Sequence, residues 1–128
     1  MVIDDDKVNN FICTKIIEKS GLADNVITCQ SAEEGLTHLR NALVGQGAVP
    51  ELIFLDLNMP VMSGWDFLEE YKNSFGEIAP NVTLVVLSSS VYHEDINRAK
   101  SYVEVSEYMS KPITLDMLSI IDGQYFNN

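Results

Sequence analysis

Two segments of this chain, "LIFL" at 52–55 and "LVVL" at 84–87, are apolar at every position. A strand with one wet face alternates apolar and polar residues, whereas an unbroken run of this length fits a strand covered on both faces. Burial on both faces is the mark of a parallel sheet wrapped by helices, so these eight residues confine the chain to an α/β architecture. The remaining segments agree. Val2-Ile3 is the end of a strand that halts at Asp4-Asp5-Asp6. From Lys7 to Lys19, the apolar residues Val8, Phe11, Ile12, Ile16 and Ile17 recur at helical spacing, and Gly21 closes that helix. "VITC" at 26–29 reads as a strand. Ser31 to Glu34 reads as a capping box opening a helix whose apolar face is Leu36, Leu39 and Leu43. Met62-Ser63-Gly64 leads into a third helix with Trp65, Phe67, Leu68 and Tyr71. A fourth helix spans His93 to Val103, "EYMS" at 107–110 is a fifth strand, and Thr114 caps a last helix with Leu115, Leu118, Ile120 and Ile121. Five alternations of strand and helix, joined by right-handed crossovers, predict one doubly wound parallel sheet with residues 1–128 as a single domain.

Composition narrows the function classes. At 128 residues the chain has the length of one domain. Nothing approaches the 18 apolar residues of a membrane span, and "MVIDDD" lacks the basic start and apolar run of a signal peptide, so a cytoplasmic protein is expected. The 19 acids outnumber the 8 bases, for a formal net charge of −11. Such a surface repels phosphate backbones, which argues against direct nucleic-acid binding and suits a metal cation or a basic protein patch. Cys13 and Cys29 form no CxxC and are expected as buried free thiols. His38 and His93 lack evident partners and are expected at the surface, Asp6 and Asp24 as solvated charges, and Met59 and Met62 as packing.

In a doubly wound sheet the C-terminal ends of the strands share one edge, where ligands bind. Strand 1 brings Asp4 and Asp5 there, strand 3 brings Asp56, strand 4 Ser88 and strand 5 Lys111. Two carboxylates about 5 Å apart repel by roughly 3 kcal/mol at an effective dielectric of 20. A hard divalent cation such as Mg²⁺ relieves that repulsion and often assists phosphate chemistry. An Asp can itself be the nucleophile, with a Lys and a hydroxyl holding the remaining phosphoryl oxygens.

The pieces "VIDDD" (2–6), "LIFLDLNMPVMSGWDFL" (52–68), "LVVLSSS" (84–90) and "YMSKPI" (108–113) occur in an order that resembles the receiver domain of two-component response regulators, over essentially the whole chain. The resemblance implies a flavodoxin-like sheet of order 2-1-3-4-5 with five helices. It implies that Asp56 is the phosphoryl acceptor, and that Mg²⁺ is bound by Asp5, Asp56 and the backbone carbonyl of Asn58, with Asp4 holding it largely through water. Ser88 would hydrogen-bond the phosphoryl group and shift inward, Lys111 would pair with a phosphoryl oxygen, and Tyr108 would be the aromatic switch. The fourth helix, fifth strand and fifth helix would form the signalling face. The implied partners are a histidine kinase or histidine phosphotransfer protein as donor and a downstream protein target, with the chain a monomer or weak dimer. The chain would catalyse only its own phosphorylation and hydrolysis, rather than act as an enzyme on an outside substrate. A receiver standing alone is expected. The alternatives are a piece of a hybrid kinase or DNA-binding regulator, and a binding module that never takes phosphate. A phosphatase with an Asp nucleophile would need a second Asp two residues on, where this chain has Asn58. Two departures stand out: only Met1, Val2 and Ile3 precede the acids, and Glu104 occupies the place where many members close the fourth helix with Gly.

Overall fold

The alternation read from the sequence is the one found in the computed structural model, which describes residues 1–127. In chain order the elements are β1 (Val2–Ile3), α1 (Lys7–Ser20), β2 (Thr28–Cys29), α2 (Ala32–Leu43), β3 (Leu52–Leu55), α3 (Gly64–Ser74), β4 (Thr83–Ser88), α4 (His93–Ser101), β5 (Glu107–Ser110) and α5 (Leu115–Ile121). A π-helical turn, Asp122–Phe126, continues α5. Every strand pair is parallel, and the order is β2-β1-β3-β4-β5. No described helix is long and apolar enough to cross a membrane.

The apolar runs do what two-sided burial requires. Ile53, Leu55, Leu84 and Val86 point into one core with Leu36, Leu39, Phe67, Leu68 and Tyr71 of α2 and α3. Phe54, Val85 and Leu87, the residues between, point into a second core with Cys13 and Ile17 of α1 and Leu118 and Ile121 of α5. Each such side chain contributes about 1.5–3 kcal/mol when removed from water, so exposing either face would cost more than the whole stability of an ordinary domain.

Several local expectations are corrected. β2 is two residues long rather than four, although Val2 N–H still donates to the Ile27 carbonyl at 2.8 Å. On α1 the inward face is Asn10, Cys13 and Ile17, while Val8, Phe11 and Ile12 are 66%, 63% and 43% exposed. The phase is set from outside the helix. Asp6 is its N-cap, accepting from the Val8 and Asn9 N–H groups, and is no free solvated charge. Asn10 then turns inward, its Nδ2 donating to the Asp4 carbonyl at 2.9 Å and the Cys29 carbonyl at 3.5 Å. Ser31 caps α2, but the Glu34 carboxylate reaches back to Gln30 N–H, one residue before the cap. The reciprocal capping box is Ser63 with Asp66, at the start of α3. Leu43, Leu115 and Ile120 are exposed. α4 ends at Ser101, two residues early, because Tyr102 already has extended backbone. Glu104 therefore lies beyond the helix and has no left-handed conformation to adopt. Among the described residues, the one non-glycine with positive φ is Val61, at 66°.

Candidate functional site

Parallel pairing brings the acids together. Ile3 pairs with Leu55, and Asp56 N–H donates to the Ile3 carbonyl at 3.0 Å, so Asp4 and Asp56 leave neighbouring strands side by side. Both are buried, at 2% and 5% exposure, and Ser88 at the end of β4 is fully buried. Lys111 directly follows β5 and precedes a cis bond to Pro112, and its N–H donates to the Ser88 carbonyl at 3.0 Å. Its Nζ lies 2.6 Å from Asp4 Oδ2 and 3.4 Å from Asp56 Oδ1. Asp4 is otherwise committed: Oδ1 accepts from Asp6 N–H and Oδ2 from Asn9 Nδ2. Asp5 is exposed, and one carboxylate oxygen from each of Asp4, Asp5 and Asp56 lies within 4.8 Å of the others. Asn58 is exposed, and its backbone N–H hydrogen-bonds Asp56.

The electrostatics follow from this crowding. Burial, and then the charge of Asp4, pushes the Asp56 carboxyl up to about 6, although Lys111 and the Asn58 N–H pull the other way. Burial alone would lower Lys111, but the hydrogen bond to Asp4 and the charges of Asp56 and Asp4 outweigh it, and the net shift is upward. The ammonium is thus the internal counter-ion of two buried carboxylates. The donor set also passes the test for a hard divalent ion: three carboxylates, of which Asp5 has no bond to give up among the described residues, converge with no sulfur or imidazole among them.

A second line of bonds runs from this edge to α4. Ser90 N–H donates to Ser88 Oγ at 3.1 Å. The Ser90 carbonyl accepts from the Tyr108 hydroxyl at 2.8 Å, and the Ser90 hydroxyl donates to Asp95 Oδ2 at 2.6 Å. Ser90 therefore joins strand 4, the aromatic residue of β5 and the first turn of α4.

The family model for the response regulator receiver domain matches residues 1–121. The chain belongs to that family. Solved structures agree: a two-component response regulator from Cytophaga hutchinsonii is 30% identical, with a TM-score of 0.90 over 99% of this chain and 95% of that one. A response regulator receiver protein from Dyadobacter fermentans is also 30% identical, with a TM-score of 0.84 over 98% and 94%. Among characterised relatives, the probable methanogenesis regulatory protein FilR2 of Methanothrix harundinacea is 25% identical over 92% of this chain and 74% of its own length. The sensor histidine kinase CheAY of Helicobacter pylori is 28% identical over 94% of this chain, which spans only 14% of that kinase.

In this receiver domain, Asp4, Asp5, Asp56, Ser88 and Lys111 do gather at one sheet edge, as the sequence suggested. The sequence reading passed over Ser90, Asn9 and Asn10. The signal for Ser90 was present in "SSS", a hydroxyl three residues before the helix at His93. His93 and His38 are both exposed as expected, and His38 lies near Cys29 and Glu34. Gly64 shows how tightly α3 is drawn to the site. Its N–H donates to the Leu57 carbonyl at 2.9 Å, and a Cβ there would run into the Asp56 carbonyl oxygen and lie 2.6 Å from Leu57 Cα. Both obstacles are backbone of the loop that follows β3. Gly64→Ala is expected to cost about 2–3 kcal/mol in urea unfolding. An unchanged midpoint would show that the loop yields freely, and that Asp56 is less rigidly held than this packing requires.

Proposed function

We propose that Asp56 accepts a phosphoryl group from a phosphohistidine on a histidine kinase or phosphotransfer protein, and that the phosphorylated form presents an altered α4-β5-α5 surface to a protein target. The observation that carries this reading is the buried Asp56 carboxylate, flanked by one ammonium and two further carboxylates. The similarity to a segment of a sensor histidine kinase supports the choice of donor. In the transfer, the donor's P–N bond breaks and a bond forms between phosphorus and an Asp56 oxygen, the electron pair staying on the imidazole. Asp5, Asp56 and the Asn58 carbonyl would hold Mg²⁺ directly, and Asp4, whose oxygens are already engaged, through water. Bound there, the ion neutralises phosphoryl oxygens that the acidic pocket would otherwise repel. Lys111 loses the charge of Asp56 as a partner and gains a phosphoryl oxygen in its place. With Mg²⁺ and a small acyl phosphate, the intact mass is expected to rise by about 80 Da, on a peptide containing Asp56. No gain with Mg²⁺ present, or a gain mapped elsewhere, would sink the assignment.

The signal leaves through Ser88. When its hydroxyl turns to donate to the phosphoryl group, Ser90 N–H loses its acceptor, and Ser90 holds both Tyr108 and Asp95. A local charge event is thereby passed to α4 and β5. Ser88→Ala should still accept phosphate, because the nucleophile remains. It should lose most of the coupling, typically 1–3 kcal/mol, or roughly 5- to 150-fold in preference of a partner for the phosphorylated form. Amide spectra with a beryllofluoride mimic provide the check. Wild type should shift across residues 90–110 and the variant mainly around Asp56. Equal distant shifts in both would remove Ser88 from the relay and leave Lys111.

A further inference from the structure

We propose that this chain carries a second metal site, for a divalent transition-metal ion of the zinc class, formed by Cys29, Glu34 and His38 where β2 meets α2. It shares no residue with the acceptor site. One ligand atom from each of the three, the thiol sulfur, a carboxylate oxygen and an imidazole nitrogen, lies within 4.8 Å of the other two.

The backbone builds this corner. β2 ends at Cys29, and Ser31 caps α2 at once, so the strand's last side chain lies under the helix's first turn. Glu34 and His38 stand four residues apart on α2, one above the other on the same face. Glu34 is aimed by its bond to Gln30 N–H through Oε2 at 2.9 Å, which leaves its other oxygen without a partner among the described residues. No Lys or Arg pairs with Glu34 there; Arg40, further along α2, is turned to Glu70.

The donor types choose the ion. Thiolate, imidazole and carboxylate together are a zinc-type set, whereas Mg²⁺ prefers oxygens alone. Metal–ligand bonds of about 2.0–2.3 Å place tetrahedral donors about 3.5 Å apart, so from a spread within 4.8 Å Glu34 and His38, both exposed, need to close by about 1.3 Å at most. Solvent on their open side supplies the fourth ligand. Burial first, and then the charge of Glu34, keeps the Cys29 thiol protonated and pushes it up to about 11. A divalent ion outweighs both causes: the S–H bond breaks, the proton leaves to solvent, a sulfur–metal bond forms, and Glu34 gains a counter-charge. The expected consequence is a clamp on β2, the two-residue edge strand.

Cobalt(II) is the probe, titrated into the full chain with Mg²⁺ in excess so that the carboxylate site is occupied. One equivalent should produce the near-ultraviolet thiolate-to-cobalt absorption together with intense visible bands of tetrahedral cobalt, and zinc should bleach both. Cys29→Ser should lose the thiolate band, and Cys13→Ser should keep it. His38→Ala removes only an exposed side chain, and it should weaken binding by more than the 10- to 100-fold that loss of an outer-shell partner costs. The proposal is overturned by the absence of a thiolate band in wild type, by a band that survives Cys29→Ser, or by one indifferent to His38→Ala.

Discussion

Asp56→Asn will take up no phosphoryl group, and without metal at pH 7 it will be more stable than the parent chain by about 2–3 kcal/mol. The first half follows from the loss of the proposed nucleophile. The second follows from linkage. The Asp56 carboxyl is raised from its ordinary 3.8 to about 6, chiefly by burial. Between those values the folded chain holds a proton that the unfolded chain has released, so stability falls as pH rises through that window. Above it, the full cost of an ionised, buried carboxylate is present. Two units correspond to about 3 kcal/mol, which the Asn amide does not incur at any pH. The advantage should shrink to about 0.5 kcal/mol at pH 4 and vanish below about pH 3, where Asp56 is protonated in both states. Urea unfolding of both proteins from pH 4 to 8 tests the point. Equal stability at pH 7 would mean that Asp56 is not held in the strained ionised form described here.

Lys111→Met should show the opposite sign. The ammonium lies 2.6 Å from Asp4 and 3.4 Å from Asp56, whose side chains are 3% and 6% exposed. Removing one partner of a buried ion pair costs about 3–5 kcal/mol because the remaining charge is left uncompensated. Lys111 is itself 21% exposed, so a loss of about 2–4 kcal/mol is expected at pH 7. The diagnostic feature is rescue. Millimolar Mg²⁺ can neutralise the orphaned carboxylates, so thermal unfolding should recover most of the deficit when the ion is added. A deficit that is the same with Mg²⁺ as with chelator would assign the role of Lys111 to the packing of its stem instead of its charge.

What the sequence disclosed and what it hid have physical causes. Strands apolar on both faces, such as "LIFL" and "LVVL", admit few neighbours, so layer order and topology were legible. The strand ends followed, and with them Asp4, Asp56, Ser88 and Lys111, because one sheet edge collects them all. The orientation of α1 was not legible. Periodicity favoured Val8, Phe11 and Ile12, yet Asn10 won the inward position through bonds to the Asp4 and Cys29 carbonyls, at the ends of β1 and β2. Hydrophobic spacing carries no record of such tertiary bonds. Ser90 was hidden for the same reason, since its partners, Tyr108 and Asp95, become neighbours only after β5 and α4 are placed. His38 looked solitary because Cys29 lies on another element.

The bond that closes the acidic pocket, Lys111 Nζ to Asp4 Oδ2, spans 107 residues of chain. Contacts so distant in sequence carry the largest loop-closure entropy and are among the slowest to form. The pocket is therefore expected to close late in folding, when β5 docks beside β4. A chain still on the ribosome with its last strand inside the exit tunnel has no such pocket, and neither does one in which β5 has peeled away. With Asp56 charged as proposed, phosphate would reach only molecules in which β5 has docked, and copies that have yet to close the pocket would stay silent.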